Sequence, residues 1–192
     1  LTATIVLPSC KKGDDDPFLS LRSRKSRVAG EWTVDNMETK ITTTVISPSA
    51  TNNSTTTTTI SGSNYSEVYT DNTGTTTETG IMGKYTMTYE KDGTWKSSSE
   101  KTVVHVFGSG SFATTETTFT TVEKSGIWNF LGKIGDAKNK ENMSVSTTQE
   151  VTTTRVTTVN SFTGTDVTTT TNTKSYAENE SVEIWKLTEL RN

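Results

Sequence analysis

Cysteine and histidine occur once each in the 192 residues, as Cys10 and His105, and proline occurs three times. A lone cysteine excludes an intramolecular disulfide. A lone histidine excludes a multi-histidine metal site, and a mixed site has no second thiolate to draw on. Hydrophobic residues make up only 29% of the chain and aromatics 8%, whereas ordinary globular domains are about 45–50% apolar. Neither sign of charge dominates. The 19 basic and 22 acidic residues leave a net charge of −3, too balanced to call for nucleic acid or another polyanion. Helical periodicity is almost absent, and the apolar stretch at residues 1–7 is too short to span a bilayer.

Threonine fills the space that apolar residues leave, with 44 copies. It is β-branched, stiff at χ1 and favoured in strands, yet its hydroxyl tolerates water. A threonine-rich chain with aromatics and valines spread along its length therefore reads as sheet with one wet face. Disorder is the weaker reading, because proline is scarce and the aromatics never run out.

Leu1 to Leu7 reads as the end of a signal-peptide apolar region. The following Leu7-Pro8-Ser9-Cys10 resembles the bacterial lipobox: an aliphatic residue, small residues, then cysteine. The resemblance implies a diacylglycerol on the Cys10 thiol and cleavage just before it. Each buried acyl CH₂ contributes about 0.8 kcal/mol, so two or three chains anchor firmly. An ordinary buried cysteine behind an apolar strand is the alternative. Asp14, Asp15 and Asp16 follow closely. An acidic run in that place resembles the surface-export signal of Bacteroidetes lipoproteins, which implies the outer face of the outer membrane. A solvated linker is the alternative. The chain thus divides into a signal-peptide remnant (1–9), a lipidated cysteine and polar tether (10–27), and a β-rich domain (28–192).

Within that domain, strand follows strand. Residues 28–34 open the first, 41–46 form a β-branched run, and residues 55–70 carry Ile60, Tyr65, Val68 and Tyr69. Over 84–91, Tyr85, Met87 and Tyr89 alternate with polar residues, the period-two signature of a half-buried strand. Asp92-Gly93 then predicts a two-residue type I′ hairpin returning through Trp95. Residues 101–107 predict a strand with Val103, His105 and Phe107 on one face. Residues 112–123 and 126–132 read as two more strands, 143–161 with 166–174 as a long hairpin, and 182–187 as the last strand. About eight strands in sequential antiparallel order predict an all-β fold: an up-and-down antiparallel β-barrel, with a β-sandwich as alternative.

Several features together resemble the lipocalin-like lipoproteins of Bacteroidetes. They are the lipobox cysteine, Gly30-Glu31-Trp32, the tyrosine-rich strand into Asp92-Gly93-Thr94-Trp95, Gly126 to Leu131 with Lys138-Asn139-Lys140-Glu141, and Ile184-Trp185-Lys186-Leu187. The resemblance implies a lipocalin-like barrel around a central cavity. It also implies a further strand after Leu187, so the domain is expected to lack its last strand. An arginine stacked over the entry tryptophan is also implied, for which Arg155 and Arg191 are both candidates.

Candidate cavity residues are Trp32, Tyr85, Met87, Tyr89, Trp95, His105, Phe107, Trp128 and Phe130. They either line a ligand cavity or simply fill a core. His105 lies mid-strand with no serine or cysteine partner near it in sequence, which favours a lining or surface role over a catalytic one. No catalytic set, metal set or cofactor motif is present in the sequence, so an enzyme is not expected. The expected function is a membrane-anchored, surface-exposed lipoprotein whose barrel binds a small amphipathic or hydrophobic ligand. The alternative is an accessory structural or interaction lipoprotein of an outer-membrane complex, with no ligand of its own. Expected partners are the membrane, through lipid on Cys10, and either that ligand or an outer-membrane protein, but not nucleic acid.

Overall fold

A computed structural model describes residues 24–47, 50–109, 112–131, 142–160, 162–177 and 180–186. Cys10 and Asp14 to Asp16 lie outside these residues, as do Lys138 to Glu141. Among the described residues, one short helix, α1 (Arg24–Val28), precedes ten strands: β1 (Gly30–Thr33), β2 (Asn36–Ser47), β3 (Ala50–Ser61), β4 (Asn64–Asp71), β5 (Gly74–Tyr89), β6 (Thr94–Phe107), β7 (Thr114–Phe130), β8 (Asn142–Asn160), β9 (Gly164–Ser175) and β10 (Val182–Lys186). All strands are antiparallel to their neighbours in one sheet, ordered β10-β8-β7-β6-β5-β4-β3-β2. β1 joins β5, and β9 joins β8.

The all-β antiparallel class is therefore observed, whereas barrel closure is not. Among the described residues, β2 ends the sheet on one side, and β9 and β10 end it on the other. Local boundaries also differ from the sequence reading. Residues 55–70 are two strands, split at Gly62, whose φ of 58° makes the turn. Residues 114–130 are one 17-residue strand rather than two. The Asp92-Gly93 hairpin forms, but through a four-residue loop: the Glu90 amide donates to the Thr94 carbonyl at 2.8 Å, and the Gly93 amide to the Glu90 carbonyl at 3.1 Å. The Asp92 carboxylate accepts from the Thr94 amide at 2.8 Å and its hydroxyl at 2.7 Å. That local turn competes successfully with the two-residue alternative. Asp71 takes the same role toward Thr73, at 2.8 and 2.6 Å.

The long central strands carry two apolar clusters on one face, here called the inner face. Register sets the first. Tyr89 pairs with Trp95, Trp95 with Gly126, Trp128 with Val145, and both Phe130 and Trp185 with Met143. Period two then brings Met87, Tyr89, Trp95, Trp128, Met143 and Val145 together, and Val28 of α1 covers them. The smaller second cluster lies farther along the sheet, where Ile60 and Tyr65 meet Met82, with Met37 packed against them. Tyr85 touches both clusters.

Candidate functional site

Seven of the nine candidate side chains converge at the α1 end of the inner face. Met87, Tyr89, Trp95 and Trp128 are buried, Tyr85 and Phe130 are half-buried, and Trp32 is 37% exposed at the rim on β1. Their rings pack on one another. Tyr89 meets Trp128 edge-on at 5.7 Å, and Trp128 meets Phe130 edge-on at 5.6 Å. Such pairs add about 0.5–1.5 kcal/mol each beyond the area they bury. Each indole N–H has a carbonyl: Trp32 bonds Val28 at 2.8 Å, Trp95 bonds Ser146 at 3.0 Å, and Trp128 bonds Glu90 at 3.0 Å. Burial pushes the Tyr85 and Tyr89 phenols up from the usual tyrosine range. Here the aromatic residues fill a core.

His105 and Phe107 stand apart. They share the inner face of β6 with Trp95 but lie ten or more residues along it, about 33 Å away. Both are exposed, with their rings stacked at 6.2 Å. Among the described residues, no three His, Cys, Asp or Glu side chains gather as a metal site.

Beside the two clusters the inner face carries charged pairs. Lys101 donates to Glu78 at 2.9 Å and to the Tyr65 hydroxyl at 3.2 Å, and its ammonium sits 4.4 Å from the Tyr65 ring centre. The Tyr65 hydroxyl donates to Glu67 at 2.9 Å. Burial pulls the Lys101 ammonium down, but its bonds to Glu78 and Tyr65 together outweigh burial and raise it. Burial raises the Tyr65 phenol, and Glu67 adds to that, against the opposing pull of Lys101. Lys124 pairs with Glu150 at 3.0 Å; burial pulls its ammonium down, but Glu150 together with the nearby Tyr85 and Glu183 outweighs burial and raises it. Sequence reading missed this network. Lys101 and Glu78 are 23 residues apart, and only the strand register brings them to one face.

Among the described residues the opposite face carries at least two grooves, and none of the nine candidates lines either. One, of about 570 Å³, runs over β3 to β6 between Thr59, Ser66, Thr79, Ile81, Thr102 and Val104. Gly80 lies beneath it. A Cβ there would collide with the Thr102 carbonyl oxygen, so the strands approach closely at that point. The other, of about 410 Å³, lies over β5 to β8 between Thr88, Lys96, Glu123 and Gln149. Across β5 to β9 the same face exposes Ile81, Val104, Val106, Phe119, Val159 and Val167. The register places them in adjoining rows: Ile81 opposite Thr102 and Thr102 opposite Phe119, with Val106 and Val159 both opposite Thr115.

The described residues include no helix long and apolar enough to cross a membrane. Comparison of the chain with protein-family models, with curated proteins and with solved structures finds no match.

Proposed function

We propose that this protein is a lipid-anchored interaction module, tethered through Cys10 and exported by the acidic run Asp14 to Asp16 to the outer face of an outer membrane. There it presents the threonine-rich outer face of its sheet to a protein partner. The observation that carries the reading is the apolar group Ile81, Val104, Val106, Phe119, Val159 and Val167, exposed among threonines on the face away from both core clusters. Exposed apolar surface of this kind, rimmed by polar residues, marks interaction sites. The aromatic residues that would line a cavity are instead packed against one another. The test is crosslinking on intact cells followed by affinity purification of the tagged protein. A defined envelope partner is expected, lost on Val106→Lys without loss of fold. Recovery of the same partner from the Val106→Lys protein would refute the docking face.

The groove of about 570 Å³ beside that patch supports a second reading, a small amphipathic molecule held between its hydroxyls and Ile81 and Val104. Native mass spectrometry of protein purified from membranes separates the two. A bound small molecule lost on Val104→Arg supports the second reading, and an unliganded mass supports the first.

A further inference from the structure

An open sheet has edges, and edges are templates for pairing unless something guards them. β9 is guarded: Asp166 and Lys174 project from its inner face, the inward-pointing charges that discourage strand addition. β2 differs. Its charges, Glu38 and Lys40, sit in its first half. Residues 41–46, Ile-Thr-Thr-Thr-Val-Ile, are all β-branched, with no charge, proline or glycine, the composition of strongly self-pairing strands. On the inner face Ile41 is 58% exposed and Val45 57%. Met37 belongs to the second core cluster, so that cluster runs out to the free edge.

The order of residues along that face is symmetric about its centre: Met37, Thr39, Ile41, Thr43, Val45. We infer that β2 is a homotypic docking strand, on which two copies of this chain pair antiparallel about a two-fold axis through Ile41. In that register Ile41 faces Ile41 of the second copy, each Thr39 faces a Thr43, and each Met37 faces a Val45. On the inner face apolar residues meet apolar and threonine meets threonine; on the outer face Asn36 faces Ile46, Glu38 faces Thr44 and Lys40 faces Thr42, so no like charges stand directly opposite. Main-chain hydrogen bonds supply the affinity and the alternate side chains supply the register, as in strand addition generally. An isologous contact closes as a dimer. The inference stands independently of the outer-face reading above, since it uses the edge and the inner face.

The full chain carrying Cys10→Ser tests it. Sedimentation velocity at rising concentration is expected to show a monomer–dimer equilibrium. Ile41→Lys, at an exposed position, is expected to weaken dimerisation at least tenfold with unchanged circular dichroism, and mixing it with Ile41→Glu is expected to restore a dimer. Under oxidation, Ile41→Cys is expected to crosslink, because directly opposed residues hold their Cα atoms about 4.5–5.5 Å apart, within disulfide reach. Thr43→Cys is expected not to, since the two copies of residue 43 are offset by four residues, about 13 Å. A monomer at all concentrations, a dimer indifferent to Ile41→Lys, or open-ended filaments from head-to-tail pairing of β2 with β9 would each overturn the inference.

Discussion

Replacing Gly126 by alanine is expected to be among the most damaging single-methyl changes in the molecule. Gly126 sits at the register shift between Ser125 and Gly126, where β7 meets β8, directly opposite Trp95 on β6. The shift leaves the Ser146 carbonyl free to accept the Trp95 indole N–H at 3.0 Å, and the indole reaches it across the space a Cβ would fill. An alanine Cβ would fall on the Ser146 carbonyl oxygen and lie 2.8 Å from the indole nitrogen. Neither neighbour is the loose end of a flexible side chain. One is backbone in a ladder, and the other is a ring held among Tyr89, Trp128 and Val28. Overpacking a filled site costs about 1–3 kcal/mol. An indole N–H forced from its acceptor without access to water costs about 1–3 kcal/mol more. The expected loss is therefore about 2–6 kcal/mol, a large share of a stability of ~5–15 kcal/mol.

Urea unfolding followed by tryptophan fluorescence measures it. Trp95→Phe supplies the control, since it keeps a ring in the site but removes the nitrogen that the new methyl would strike. Trp95→Phe alone is expected to cost about 1 kcal/mol for the lost hydrogen bond. Combined with Gly126→Ala it should cost less than the sum, by on the order of 1 kcal/mol, because the two residues share one clash. A Gly126→Ala protein within ~0.5 kcal/mol of the parent, the range of an uninvolved surface change, would refute the argument. Strict additivity of the pair would refute the role assigned to Trp95.

Stability is expected to fall as pH rises through about 10, where the unfolded chain releases its tyrosine protons. Native Tyr65, Tyr85 and Tyr89, with their pKa values raised, hold theirs. The raised Lys101 and Lys124 act in the same direction, and Tyr89→Phe should flatten the fall in a chemical-denaturation series, so an unchanged slope would count against burial as its cause. Lys101→Met is expected to cost about 1 kcal/mol by thermal or urea unfolding, because it leaves Glu78 and Tyr65 without their shared donor at a site still partly open to water. Adding Glu78→Gln should recover part of that loss, and a double variant as unstable as the sum would show that the pair is not coupled. Cys10→Ala is expected to leave the protein uncleaved or soluble on fractionation, and a cleaved form still in the membrane fraction would refute the tether.

How far the fold was legible depends on which residues alternate. Where aromatics alternate with polar residues, as at Tyr85, Met87 and Tyr89, period two marked the C-terminal half of β5 and its return through Trp95, though not the strand's start at Gly74 or the length of the loop. Where threonine occupies both faces, no such contrast exists. Residues 55–59 are five threonines in succession, and nothing local says which face is wet or where the strand ends. The end came from Gly62 instead. The candidate site suffered from the same ambiguity at larger scale. The register puts Trp32 through Phe130 on the inner face, but no local pattern distinguishes a ring that lines a cavity from a ring that fills it. That is decided by what covers the face, and here Val28 of α1 and the neighbouring rings do.

Closure is the other quantity that strand patterns leave open. Whether a meander returns to its first strand is a property of the sheet's twist and of its two edges, not of any strand in its middle. The edges of this sheet are nevertheless unlike each other in sequence. β9 places an aspartate and a lysine inward, whereas β2 offers an uncharged β-branched run beside a small apolar cluster. Two edges meant to join within one chain would both carry apolar residues to bury at the seam. Among the described residues the β9 and β2 edges are thus not a matched pair, in keeping with the open sheet observed. Threonine makes such a sheet tolerable in water, because its β-branch stiffens both faces of a long strand while its hydroxyls keep them solvated.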